Sequence, residues 1–182
     1  MTNFNYYDKA TSKEIRKEIE SWIKSLKPNY VLTVQFPPNE QTTSYDISQN
    51  KLKSVMEKLE YYLRGKNWKE NHVPFIAFCE KGKSQTYHYH IFFYNNRIKV
   101  KRMDTALNRV FIRTGYTVEN LYLDPFFTVN TPDYCTKQIY SDIYKHFDTS
   151  NIITSEQLFN IPVKQSILSH KPSVVAPNTN LI

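Results

Sequence analysis

Glycine is scarce, with three residues in a chain of 182, and no stretch reads GxxxxGKS/T or GxGxxG. Without such a loop there is no cradle of backbone amides for nucleotide phosphates, so the chain is expected to carry no ATP motor of its own. Cysteine is rarer still. Cys79 and Cys135 share no CxxC or other zinc-binding spacing, and they read as two buried thiols in a reducing compartment rather than as a disulfide. No stretch approaches ~18 apolar residues, and the opening Met-Thr-Asn-Phe-Asn-Tyr-Tyr-Asp has no apolar signal region, so a soluble intracellular protein is expected. Acidic side chains are the minority sign: 17 Asp plus Glu stand against 24 Lys plus Arg, a net charge of +7. That balance suits a polyanionic partner and equally suits a solvated basic surface.

What is abundant is aromatic. Eleven Phe and 14 Tyr sit in a chain that is 40% hydrophobic, enough for one domain with its own core. Thr11-Ser12-Lys13-Glu14 reads as a capping box, opening a helix with Ile15, Ile19, Trp22, Ile23 and Leu26 at helical spacing, and Pro28 ends it. Tyr30–Phe36 alternates as a strand, with Tyr30, Leu32, Val34 and Phe36 on one side and Val31, Thr33 and Gln35 on the other. A second helix is expected over Ser48–Arg64, with Leu52, Val55, Met56, Leu59 and Leu63 as its buried stripe. Val73–Glu80 and Thr86–Tyr94 form an expected antiparallel pair joined by Lys81-Gly82-Lys83-Ser84-Gln85.

Val100, Met103, Leu107, Val110 and Phe111 mark a third helix, with Gly115 placed to follow its end. Tyr116–Leu123 and Phe126–Val129 suggest further strands. Thr131-Pro132-Asp133 starts another helix, and Thr154–Phe159 reads as a short one. The order predicts an α+β fold: a single antiparallel sheet of about five strands flanked by helices, packed mainly on one face. Residues 1–27 form an N-terminal helix region, 28–148 the core, and 149–182 a partly flexible C-terminal extension of one domain.

Tyr87-His88-Tyr89-His90-Ile91 is the most informative run. Strand side chains alternate, so His88 and His90 project to the same face about 6–7 Å apart, while Tyr87, Tyr89, Ile91 and Phe93 cover a core on the other. In an antiparallel pair, Glu80 at the end of one strand comes near His88 at the start of the next, with facing Cβ atoms about 5 Å apart. Two imidazoles and a carboxylate on an open sheet face leave positions for water and a phosphate oxygen. That set suits Mn²⁺ or Mg²⁺ better than a closed zinc site. A His-x-His pair on a strand also occurs as two surface histidines. His72, His146 and His170 are read as surface residues.

On the helix expected from Pro132, Tyr134 lies in the first turn and Lys137 one turn later on nearly the same face. First-turn backbone amides and the positive dipole end favour a phosphate there. A phenol with a pKa of about 10 is a weak nucleophile, so a metal or Lys137 has to steady the developing charge. Attack on phosphorus would release a 3′-hydroxyl and leave a 5′-phosphotyrosine, which a later 3′-hydroxyl can reverse. Tyr140 and Tyr144 are rival nucleophiles, and a surface Tyr/Lys pair is the ordinary alternative.

Three blocks together resemble the HUH (histidine–hydrophobic–histidine) endonucleases, specifically the replication initiators of small circular single-stranded DNA viruses and related plasmids. The first is Tyr30-Val31-Leu32-Thr33-Val34-Gln35-Phe36-Pro37. The second is Ile76-Ala77-Phe78-Cys79-Glu80 followed by His88-Tyr89-His90. The third is Asp133-Tyr134-Cys135-Thr136-Lys137, closest to the circovirus-like form. The resemblance covers about residues 28–147. It implies an RRM-like antiparallel sheet, a Mn²⁺ or Mg²⁺ cofactor on Glu80, His88 and His90, and Tyr134 as nucleophile with Lys137 as its helper. The implied activity is site-specific nicking and joining of origin single-stranded DNA, initiating rolling-circle replication. The chain departs from the pattern in Tyr89 at the middle of the histidine motif and in the leading helix.

Lys81 and Lys83, beside Glu80, are the expected phosphate contacts, and Lys99, Lys101 and Arg102 read as a solvated helix start. Expected partners are single-stranded DNA carrying an origin stem-loop and a host helicase, with no membrane. The expected setting is the intracellular site of viral or plasmid replication. An excised nuclease domain or a small stand-alone initiator both fit. The rival readings are a non-catalytic single-stranded DNA or RNA-binding sheet domain, a structural accessory protein, and a transposase or relaxase.

Overall fold

Five strands form one antiparallel sheet in the order β4-β1-β3-β2-β5. The computed structural model describes residues 9–82, 84–94, 97–124 and 151–162. Its elements are α1 (Lys9–Ser25), β1 (Tyr30–Gln35), α2 (Tyr45–Arg64), β2 (Phe75–Lys81), β3 (Tyr87–Phe93), α3 (Val100–Thr114), β4 (Leu121–Asp124), β5 (Ile152–Thr154) and α4 (Ser155–Phe159). The expected α+β architecture is the one observed. None of the described helices is long and apolar enough to cross a membrane.

The sheet is hydrophobic on both faces, and helices cover them unequally. Tyr30, Leu32, Val34, Ala77, Cys79, Tyr89, Ile91 and Phe93 pack with the stripes of α2 and α3 and with Leu158 and Phe159 of α4. The period of 2 along each strand is what sorts these side chains to one face. On the other face, α1 lays Ile19, Trp22 and Ile23 against Val31, Ile76, Phe78, Phe92, Tyr94 and Ile152. The expectation of helices mainly on one face is therefore corrected. The covered half of this second face lies toward Tyr94; the half toward Glu80 carries polar side chains.

Several boundaries shift for local reasons. The first helix already runs from Lys9, so Thr11 lies inside it and does not cap it. The N-cap of α2 is Ser44, whose hydroxyl accepts from the Ile47 amide. Ser48 instead lies in the helix, buried, with its hydroxyl bonded to that of Tyr89. A buried phenol needs such a partner, which ties α2 to β3. Gly115 takes the left-handed conformation after α3 as expected, with φ 75°. Strand pairing at Tyr116–Leu123 is limited to Leu121 onward, because Asn120 Oδ1 accepts from the Thr117 amide and hydroxyl and closes a turn. The expected strand Phe126–Val129 and helix from Pro132 lie outside the described residues. The fifth strand is Ile152–Thr154, directly before α4, whose capping box is formed by Thr154 and Gln157.

One acid is buried at the far end of α2. Glu60 accepts the Val73 amide at 2.9 Å, and burial lifts its carboxyl from the ordinary 4.5 to about 8, against the lowering effects of that amide and Arg64. A raised carboxyl pKa stabilises the fold fully below the unfolded value, and that stability is lost as pH climbs through the folded value. Glu60→Gln keeps an acceptor for Val73 and removes the titration. Its melting temperature should exceed the parent's by about 5 °C at about pH 9 and match it within about 2 °C near pH 4. Thermal unfolding followed by circular dichroism reads both, and equal curves at the alkaline end would contradict the assignment.

Candidate metal centre

The polar half of the second face is assembled by register. β2 and β3 pair with Glu80 opposite His88 and Phe78 opposite His90. β1 lies on the other side of β3, with Gln35 opposite His88 and Thr33 opposite His90. β4 adds Tyr122 opposite Thr33. Strand alternation therefore sets Glu80, His88, His90, Thr33, Gln35 and Tyr122 on one face, and sends Cys79, Tyr87, Tyr89 and Leu121 into the opposite layer.

Glu80 is the buried member, its side chain 1% exposed, while His90 is 8% and His88 24% exposed. Glu80 Oε2 stands 3.1 Å from His88 Nε2 and 3.6 Å from His90 Nε2. The two rings meet edge to face, 5.3 Å between centroids, and one donor atom of each residue lies within 4.8 Å of the others. Ligands about 2.1 Å from a shared ion lie about 3.0 Å apart at a right angle and about 3.4 Å at the tetrahedral angle. The observed separations are close to that range, so the donor set fits a divalent cation. A carboxylate taken this far out of water also demands compensating positive charge. Among the described residues this is the one cluster of metal-ligating side chains with such spacing. The expected neighbourhood of Glu80 and His88 is the one observed.

Sequence reading missed Thr33. Its Oγ1 lies 3.1 Å from His90 Nδ1. In the tautomer with the proton on Nδ1, that nitrogen donates to the threonine hydroxyl and leaves the Nε2 lone pair facing Glu80. Such partners fix the ring and its tautomer in metal sites. The parity that put Thr33 beside Val31 and Gln35 was visible; the strand-to-strand register that brings it opposite His90 was not. Tyr122 was missed too. It is 60% exposed, unusual for so large a side chain.

Other predicted site residues fall differently. Lys81 pairs with Tyr87, and its ammonium stands 5.5 Å from the centre of that ring, on the α2 side of the sheet. Lys83, Tyr134, Lys137, Tyr140, Tyr144, His146 and His170 lie outside the described residues. His72 is not a surface residue. Its side chain is 5% exposed and its Nε2 is 3.4 Å from Glu156 Oε1. Burial raises the Glu156 carboxyl, but the hydrogen bond from His72 and further bonds from its own amide and Ser155 outweigh it and hold the pKa below the ordinary value.

Thr33→Val removes the hydroxyl with little change in shape. Mn²⁺ affinity measured by titration calorimetry should fall about tenfold, whereas Thr33→Ser should keep it and His90→Ala should lose it. Unchanged affinity in Thr33→Val would show that the hydroxyl does not orient the ring.

No curated protein and no solved structure matches the chain significantly. The family model for the replication-associated protein ORF2 and its relatives matches residues 29–141. That span contains β1, both strands of the triad and the Tyr134–Lys137 segment, more than half of the chain. With a Glu/His/His cluster at its centre, the chain belongs to this family of replication-associated proteins.

Proposed function

We propose that the protein is a metal-dependent nickase and strand transferase of the HUH type, in the circovirus-like form, acting on single-stranded DNA to initiate rolling-circle replication. The observation that carries this reading is the convergence of Glu80, His88 and His90 on the half of a sheet face that no described helix covers. When bound there, Mn²⁺ or Mg²⁺ supplies positive charge that polarises a phosphoryl oxygen.

The chain's own residues do the rest. Glu80 and the two imidazoles set where the scissile phosphate sits, and Thr33 keeps His90 turned toward it. A base beside that phosphate finds the exposed ring of Tyr122 to stack on, and Gln35 offers an amide at the open edge. The Tyr134 oxygen attacks phosphorus and gives up its proton. The P–O3′ bond breaks, the leaving oxygen takes a proton to become a 3′-hydroxyl, and the 5′-phosphate stays on the tyrosine. Lys137, one helical turn on, stabilises the phenolate charge as it forms. Return attack by a 3′-hydroxyl rejoins the strand without an external energy source. Lys81, on its four-carbon stem at the exposed end of β2, and Lys83 in the hairpin turn hold flanking phosphates. The substrate is an origin stem-loop, opened by a host helicase at the intracellular site where such DNA is copied.

Purified protein incubated with Mn²⁺ and a pool of stem-loop oligonucleotides with randomised loops should give a covalent adduct that survives a denaturing gel. Tyr134→Phe should abolish it, and His90→Ala should reduce it at least about a hundredfold. Adduct that persists in Tyr134→Phe but disappears in Tyr140→Phe or Tyr144→Phe would move the nucleophile. DNA binding with no adduct under any condition would replace the nickase with a binding module.

A further inference from the structure

Where the last turn of α3 passes α2, the outer surface of the helical layer holds an open cleft of about 250 Å³. Lys51 and Lys58 of α2 and Arg113 of α3 line it, with Glu40, Thr114 and Tyr116. Lys51 and Lys58 are seven residues apart, two helical turns, and so share one face of α2. Three cations therefore meet one carboxylate, and that carboxylate is already engaged. Tyr116 donates its hydroxyl to Glu40 Oε2 at 2.7 Å, and Lys51 Nζ stands 3.5 Å from the same oxygen. Burial, then the hydrogen bond and charge of Glu40, push the Tyr116 phenol up, so it remains a neutral donor. The cleft keeps a net positive charge and an array of N–H and O–H donors, the chemistry of a phosphate site.

Its position relates it to the triad. β1 ends at Gln35, the partner of His88. Five residues later, the Glu40 carbonyl accepts from Lys51 Nζ at 2.7 Å. Five extended residues span at most about 18 Å, which is about five phosphates along one strand of a duplex. The rim between the two places is held in shape: Gln41 Nε2 donates to the Phe36 carbonyl, and Thr86 Oγ1 donates to Gln41 Oε1. We infer that Lys51, Lys58 and Arg113 form a second phosphate-backbone site, which grips the DNA about half a helical turn from the triad after it has passed over the Pro37–Gln41 rim. This rests on the nickase reading for the identity of the polyanion.

The test uses Lys58→Ala combined with Arg113→Ala, because Lys51 also holds Glu40. Binding of Mn²⁺-loaded protein is measured by fluorescence anisotropy across a salt series, with a single strand of about six nucleotides and with a stem-loop longer by about ten nucleotides on each side. The double variant should bind the longer DNA about tenfold more weakly, with a log–log salt slope shallower by one to about two, and should bind the short strand as the parent does. Lys58→Arg alone should keep the parent's slope. Removing two charges at the far end of α2, Lys66→Ala with Lys69→Ala, should leave the slope unchanged. Equal affinity and slope in parent and double variant, or an equal loss in the far-end variant, would overturn the inference. Failure of the parent to bind either DNA would instead overturn the nickase reading on which it rests.

Discussion

Register between β2 and β3 is the constraint on which everything functional depends. The pairing that sets Glu80 opposite His88 also sets Cys79 opposite Tyr89 and Ala77 opposite Ile91. Since side chains alternate, a slip of one residue would move the histidines into the apolar layer beneath α2 and bring Tyr87 and Tyr89 out in their place. The tyrosines resist that slip. Tyr89 is fully buried, meets the edge of Phe36 and shares a hydrogen bond with Ser48, while Tyr87 packs edge-on against Tyr45. Core and site are thus two sides of one decision. The aromatic residue between the histidines is what keeps them facing outward.

Unequal cover of the second face turns this register into an accessible site. α1 buries the half built from Val31, Ile76, Phe78 and Phe92, supplying an apolar wall immediately next to His90. The carboxylate sits against that wall, and the more exposed His88 lies at the open end. Electrostatic attraction between a cation and the buried acid is stronger there than in open water. A substrate phosphate approaching from the His88 side still meets solvent. The departure noted in the sequence, a helix ahead of the first strand, contributes directly to the site's environment.

Much of this was legible in the sequence. Strict alternation in Tyr30–Phe36 and Tyr87–Phe93 defined the faces, and a short hairpin loop fixed Glu80 against His88, because antiparallel neighbours joined locally leave few registers to choose among. Contacts made by distant segments were not legible. Thr33 meets His90 across 57 positions of chain, and His72 meets Glu156 across 84, with no periodicity to announce either. Lys81 continues the alternation of its strand and so turns to the Tyr87 side, although proximity in sequence suggested the site. Ile152–Thr154 was too short to carry a period-2 signal and was overshadowed by the helix cap that follows it.

That late strand bears on how the centre comes into being. β2, which supplies the acid, lies between β3 and β5, so its outer row of backbone donors and acceptors is satisfied by residues 152–154. During synthesis the hairpin emerges first and presents Ile76 and Phe78 on an unzipped margin until β5 arrives. Such a margin can recruit another chain as readily as its own later segment. Closing it quickly guards the young hairpin against aggregation, which gives a segment remote from the histidines a part in producing an active molecule.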